Sequence, residues 1–189
     1  MNNKEIYIKL EKAVGDNNVQ EVSNILDQHS DLDLNDENLY TLHPPLCRAA
    51  KKGFYEICKT LIQYGADVNC IKDRLFSPLW GASSGNHLEI VKLLIENGAD
   101  INAYESSTTA ALNEAAAKGH FEIVRYLIEK GADINRLTTT LLFSPLDWSI
   151  SSGHNEISLF LKEKGASSNI NHDYVWSAVS YTHLRAHET

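Results

Sequence analysis

The 189-residue chain is poor in several residue patterns, and each shortage removes a class of function. It holds three cysteines, Cys47, Cys58 and Cys70, an odd number with no C-x-x-C pair among them. Such thiols read as reduced side chains of an intracellular, cytoplasmic protein rather than a disulfide framework. Lysine and arginine total 17 against 25 aspartate and glutamate residues, for a net charge of −8. Lys51-Lys52 is the one basic doublet. Nucleic-acid binding needs a clustered basic footprint that displaces counterions, so no nucleic-acid partner is expected. No apolar run approaches the roughly 20 residues of a membrane span. The opening MNNKEIYIKLEK has no apolar core of signal-peptide length and reads as a first helix. No membrane association is expected.

Catalytic signatures are equally scarce. The chain has no G-x-G-x-x-G and no phosphate loop. His87, His120 and His154 each stand two residues before a glutamate, but the three lie one repeat apart. Neighbouring repeats are separated by about one helix-packing distance, ~10 Å, whereas a shared zinc needs ligands at about 2 Å. They are expected to open helices, with the glutamates at the favourable positive end. Cys47 and His43 are the nearest approach to a nucleophile and base, but Pro44-Pro45 lies between them and nothing supplies an oxyanion hole. No catalytic residue, metal or cofactor is expected.

What the chain has in quantity is a repeated phrase. GADVN at 65–69 returns as GADIN at 98–102 and 131–135, and as GASSN at 165–169, in steps of 33, 33 and 34. Pro45, Pro78, Ala111 and Pro145 keep the same beat, as do Glu56, Glu89, Glu122 and Glu156. A fixed period of this size means a solenoid, in which each unit buries its apolar face against its neighbours. Such an architecture presents a binding surface rather than a catalytic pocket.

Each unit has the same grammar. Ser77-Pro78-Leu79 and Ser144-Pro145-Leu146 supply a hydroxyl N-cap and then proline at the first helical position, where its missing N–H costs nothing. Small residues recur on the short helix that follows, at Ala49, Ala82, Ala115 and Ser149. That helix ends at Gly53, Asn86, Gly119 or Gly153, residue types that accept a left-handed C-cap. A second helix carries Ile57, Leu61; Ile90, Leu94; Ile123, Leu127; and Ile157, Leu161 at helical spacing. The Gly-Ala-Asp-(Val/Ile)-Asn phrase then turns the chain into a finger.

These residues closely resemble the ankyrin-repeat family, whose pattern is TPLHxAAxxGHxEIVxxLLxxGADVN. The resemblance covers repeats at about 42–69, 70–102, 103–135 and 136–169, with a divergent unit at about 3–35 in which Asn18-Val19-Gln20-Glu21-Val22 imitates GHxEI. It implies an all-α solenoid of stacked helix–turn–helix units with short β-hairpin fingers, spanning residues 1–177. Three departures stand out. Cys47, Trp80, Asn113 and Asp147 replace the family histidine, so its hydrogen-bond bridge is expected to be absent. Ala110-Ala111 removes a helix cap, and one residue is inserted between Asn135 and Pro145.

Family members bind proteins through the concave side, made of finger tips and the first helices. Carried onto this chain, that surface comprises Ile71, Asp73, Arg74 and Phe76 on one finger; Tyr104, Ser106, Ser107 and Thr109 on the next; and Leu137 and Phe143 on the last. Trp80, Lys118 and Trp148 join it from the first helices. Apolar and aromatic residues at positions the fold leaves open are what an interface core uses. The resemblance therefore implies a monomeric, non-catalytic module that binds another protein. The alternative is the recognition part of a longer polypeptide whose C-terminal region carries an enzyme or membrane anchor. Residues 179–189, VSYTHLRAHET, resemble a translated sequencing-library adapter, and 178–189 is expected to be a non-native tail.

Overall fold

A computed structural model of the chain describes residues 2–36, 38–39, 44–70, 77–103, 110–139 and 141–170. Among the described residues ten α-helices follow one another as five pairs: α1 (Asn3–Gly15) and α2 (Val19–Gln28), α3 (Pro45–Lys52) and α4 (Tyr55–Gln63), α5 (Pro78–Ser84) and α6 (Leu88–Glu96), α7 (Ala111–Lys118) and α8 (Phe121–Glu129), α9 (Pro145–Ser151) and α10 (Asn155–Glu163). No strand occurs among the described residues. The odd-numbered helices pack on one another in sequence and form an inner layer. The even-numbered helices form a looser outer layer.

The inner layer closes because its side chains are small. Ala49, Ala50, Ala82, Ala115, Ala116 and Ser149 are wholly buried. At Gly81 a Cβ would come within 3.3 Å of the Lys51 Cβ, so α3 and α5 are nearly in backbone contact. The outer helices supply the larger apolar volume. Ile57, Leu61, Ile90, Leu94, Ile123, Leu127, Ile157 and Leu161 run through one continuous core. In the divergent first pair, Tyr7, Leu10, Val14 and Val22 do the same work.

Helix ends follow the residues available. Ser77 Oγ accepts from the Trp80 N–H at 3.2 Å, and Ser144 forms a reciprocal capping box with Asp147. Ala110 and Pro44 offer no side-chain cap, as their chemistry dictates. Gly53 and Gly119 take φ of 80° and 78°, and a Cβ there would also strike the His87 and His154 rings at 2.5 and 2.6 Å. Glycine is therefore favoured twice over, by conformation and by contact. Asn17 and Asn86 hold the same left-handed place at φ 55° and 61°.

The turns are stitched by a row of asparagines. Asn69 Nδ2 donates to the Gly98 carbonyl at 3.0 Å, and its Oδ1 accepts from the Asp100 N–H at 2.8 Å. Asn35 treats Gly65 and Asp67 identically, and Asn102 treats Gly131 and Asp133 identically. Asn135 accepts from Ser167 at 2.8 Å. The bonds made by Asn35 place the divergent first pair in register with the rest of the stack.

Candidate protein-binding surface

The inner helices and the fingers define this surface. Of the residues assigned to it, Ile71, Asp73, Arg74, Phe76, Tyr104, Ser106, Ser107 and Thr109 lie outside the described residues. Trp80, Lys118, Leu137, Phe143 and Trp148 lie within them, and Trp80, Leu137, Phe143 and Trp148 are half-buried. Phe143 packs on Trp148 with ring centroids 5.2 Å apart. The contact joins to α9 the finger between α8 and α9, the fourth finger counting each connection between helix pairs. Trp80 has a different neighbour, the Lys51 ammonium 5.8 Å from its ring centre. Lys118 approaches Glu114 at 3.7 Å, and Glu114 accepts from Ser84 Oγ at 2.8 Å, linking α7 to α5.

The fourth finger is held from inside. Thr138 is buried, donates its N–H to the Phe143 carbonyl at 2.9 Å and accepts the Leu142 N–H at 3.1 Å. Its Oγ1 also accepts from the Phe143 N–H. The finger thus closes around one threonine rather than through a ladder of paired strands. Leu142 sits at φ 53°, a strained place for a branched side chain. It stays there because Thr138 holds its N–H and Asn169 Nδ2 holds its carbonyl at 2.9 Å. Leu141 and Leu142 project outward, each 54% exposed. No periodic feature of the sequence singles out this pair; its signal is the Leu-Leu doublet inside the lengthened finger.

The replaced histidine position corrects an expectation. The bridge was expected to be absent, yet at three of the four positions, Cys47, Asn113 and Asp147, it persists in altered chemistry. Asn113 Nδ2 donates to the carbonyls of Arg136 at 2.9 Å and Phe143 at 3.3 Å, on either side of the finger. Asp147 accepts from the Asn169 N–H at 3.0 Å and from Ser168 Oγ. Cys47 directs its sulfur at the Cys70 carbonyl, 3.7 Å away. Each reaches a group 21 to 23 residues downstream. No recurring residue type marks that constant reach, so the sequence carries no signal for it.

Burial alone would raise the Asp147 pKa. Hydrogen bonds from Ser168, Ser144 and Asn169 outweigh it and hold the carboxyl below its ordinary value. The histidines also serve the frame. His87, His120 and His154 point Nε2 at the carbonyls of Lys51, Ser84 and Ala117, one repeat back, at 3.1 to 3.3 Å. A carbonyl only accepts, so Nε2 is the protonated nitrogen. Burial lowers the His120 pKa, with Lys118 adding to the effect and the Ser84 carbonyl opposing it. Among the described residues no group of three or more His, Cys, Asp or Glu is placed to hold a metal, and no helix is long and apolar enough to cross a membrane.

This arrangement is matched by known sequences. A family model described as ankyrin repeats (3 copies) aligns with residues 10–105 and 82–172. The chain belongs to the ankyrin-repeat family. A putative ankyrin repeat protein of Rickettsia bellii (strain RML369-C) is similar, 39% identical over 67 residues, a stretch that spans 33% of this chain and 39% of that relative. Ankyrin repeats generally mediate protein–protein interaction and are typically non-enzymatic.

Proposed function

We propose that this ankyrin-repeat chain is a non-catalytic, monomeric, cytoplasmic module that binds another protein through its fingers and inner helices. The observation that supports this most is the fourth finger. Leu141 and Leu142 stand exposed on a loop whose backbone is fixed by Thr138, Asn113 and Asn169, beside the Phe143–Trp148 pair. Apolar side chains presented on a preformed frame lose little freedom on docking, so more of the contact energy appears as affinity. Leu137, Trp80 and Lys118 extend the surface along the stack, and Ile71, Asp73, Arg74, Phe76, Tyr104, Ser106, Ser107 and Thr109 complete it. The net charge of −8 favours a protein partner over nucleic acid.

Two variants test the assignment. Leu141→Asp with Leu142→Asp alters the fourth finger, and Arg74→Glu with Tyr104→Ala alters the earlier ones. Each is expected to abolish capture of a partner from lysate while thermal unfolding stays nearly unchanged. Undiminished capture by both would sink the surface.

The likeness of 179–189 to an adapter favours a second reading, in which the repeats are the recognition part of a longer protein. Sequencing the native locus through codon 178 decides between them. A stop there supports the small binding module, and a continuing frame supports the longer protein.

A further inference from the structure

At the second unit the finger bridge is made by sulfur, and this gives it a property the amide and carboxylate bridges lack. The Sγ atoms of Cys47, on α3, and Cys70, after the Asp67 turn, lie 3.5 Å apart. We infer that Cys47 and Cys70 form a reversible thiol oxidation site, which hydrogen peroxide closes into a disulfide that staples the start of this finger to the inner layer.

The geometry supports an intramolecular product. A disulfide needs the sulfurs at about 2.05 Å, so closure requires an approach of about 1.5 Å. The two residues sit on separate elements, and Cys70 closes the Asp67 turn by donating its N–H to the Asp67 carbonyl at 3.2 Å while its own carbonyl faces the Cys47 thiol. Cys47 is buried and Cys70 is half-exposed, which sets the order of events. The Cys70 thiolate attacks one peroxide oxygen, the O–O bond breaks, and a sulfenic acid and hydroxide result. The Cys47 thiol then attacks that sulfur, the S–O bond breaks, and water leaves with the Cys47 proton. The hydroxide takes up the proton first lost by Cys70. Two thiols and one peroxide thus give one disulfide and two waters. A dithiol reductant reverses the product by exchange.

Cys58 provides an internal control. It is wholly buried on α4, and burial pushes its thiol up to about 12, against a small opposing effect of its own backbone hydrogen bond. It therefore supplies no thiolate at neutral pH.

The test treats the purified full-length chain with hydrogen peroxide and maps it by non-reducing tryptic mass spectrometry. Cleavage after Lys12, Arg48, Lys52, Lys59 and Lys72 puts the three cysteines on separate peptides, 13–48, 53–59 and 60–72. The expected product is a 13–48/60–72 cross-link at a rate independent of protein concentration, with 53–59 unmodified and the link cleaved by dithiothreitol. The melting temperature should rise by about 5 °C on oxidation and return on reduction. Cys47→Ser should convert the outcome to Cys70 oxidised alone. Dimers joined through Cys70, or Cys70 sulfinic acid with Cys47 intact in the unaltered chain, would overturn the inference.

Discussion

Two rows of side chains join neighbouring repeats, and they are built on opposite plans. Along the turns, Asn35, Asn69 and Asn102 make the same pair of bonds, one given to a glycine carbonyl and one received from an aspartate N–H. Along the starts of the inner helices, Cys47, Asn113 and Asp147 reach their fingers with a thiol, an amide and a carboxylate. The turn row faces an invariant pair of backbone groups, one acceptor and one donor, and the asparagine amide meets them with a donor and an acceptor on two separate atoms held side by side. The inner row faces unlike backbone groups: the Cys70 carbonyl, the Arg136 and Phe143 carbonyls, and the Asn169 N–H. There the bridge has to suit whichever carbonyls or N–H groups its own finger turns inward. A uniform row fixes the spacing of the stack, and a variable row lets each finger differ.

The comparison is broken most sharply at Asp147. Its carboxylate accepts from the Ser144 N–H and Oγ, Ser168 Oγ and the Asn169 N–H. Asp147→Ala strands these donors together, at a cost of about 2–4 kcal/mol, read as a lower urea midpoint. The same site carries a pH signature. The folded carboxyl titrates below its unfolded value, so its stabilisation is complete above the unfolded pKa of about 3.9 and is lost as pH falls through the lower folded pKa. Urea titrations between pH 6 and 3 should show a steeper acid loss for the parent chain than for Asp147→Asn. Parallel curves would mean that the folded and unfolded carboxyls titrate together.

Within the uniform row the effects should be smaller and alike. Asn102→Ala removes one donor and one acceptor bond, but the half-exposed site admits water, which limits the cost to about 1–2 kcal/mol. Asn69→Ala should fall within about 0.5 kcal/mol of it, since the two sites make the same pair of bonds. A large difference between them would show that the turns are not equivalent and would dissolve the contrast with the inner row.

The legibility of the sequence follows the same division. The inner small residues, the outer Ile/Leu pairs, the left-handed Gly53 and Gly119 and the missing cap at Ala110 all repeat a residue type at a fixed period, and all stand where the period put them. The finger bridges were not legible, because a reading tuned to recurring histidine saw Cys47, Asn113 and Asp147 as losses. Their shared property is a reach of about 22 residues, which only three-dimensional placement reveals. Leu141 and Leu142 escaped for a related reason. The inserted residue breaks the register, and no periodic rule says which side chains of a lengthened finger point outward. On the surface itself, the Phe143–Trp148 contact and the Lys118–Glu114 pair are packing facts that spacing alone does not carry.

The finest test concerns the helix starts. Ala110 precedes α7 at φ −61° and ψ 158°, nearly the backbone of Ser77 at −68° and 161° and of Ser144 at −75° and 167°. The chain at Ala110 is therefore already shaped for a cap and lacks only the oxygen. Ala110→Ser places a hydroxyl where it can accept the Asn113 N–H, as Ser77 accepts the Trp80 N–H, with no rearrangement of the helix. Ala110 is buried, but Ser144 shows that a serine in this place can be wholly enclosed when its hydroxyl is bonded. The gain should be about 0.5–1 kcal/mol, and the mirror change Ser77→Ala should cost about 1 kcal/mol. Because Asn113 also holds the fourth finger, a gain obtained without altering that bridge would show caps and bridges to be separable. A loss on adding the serine would show that the Asn113 bridge depends on its N–H remaining unengaged by a cap.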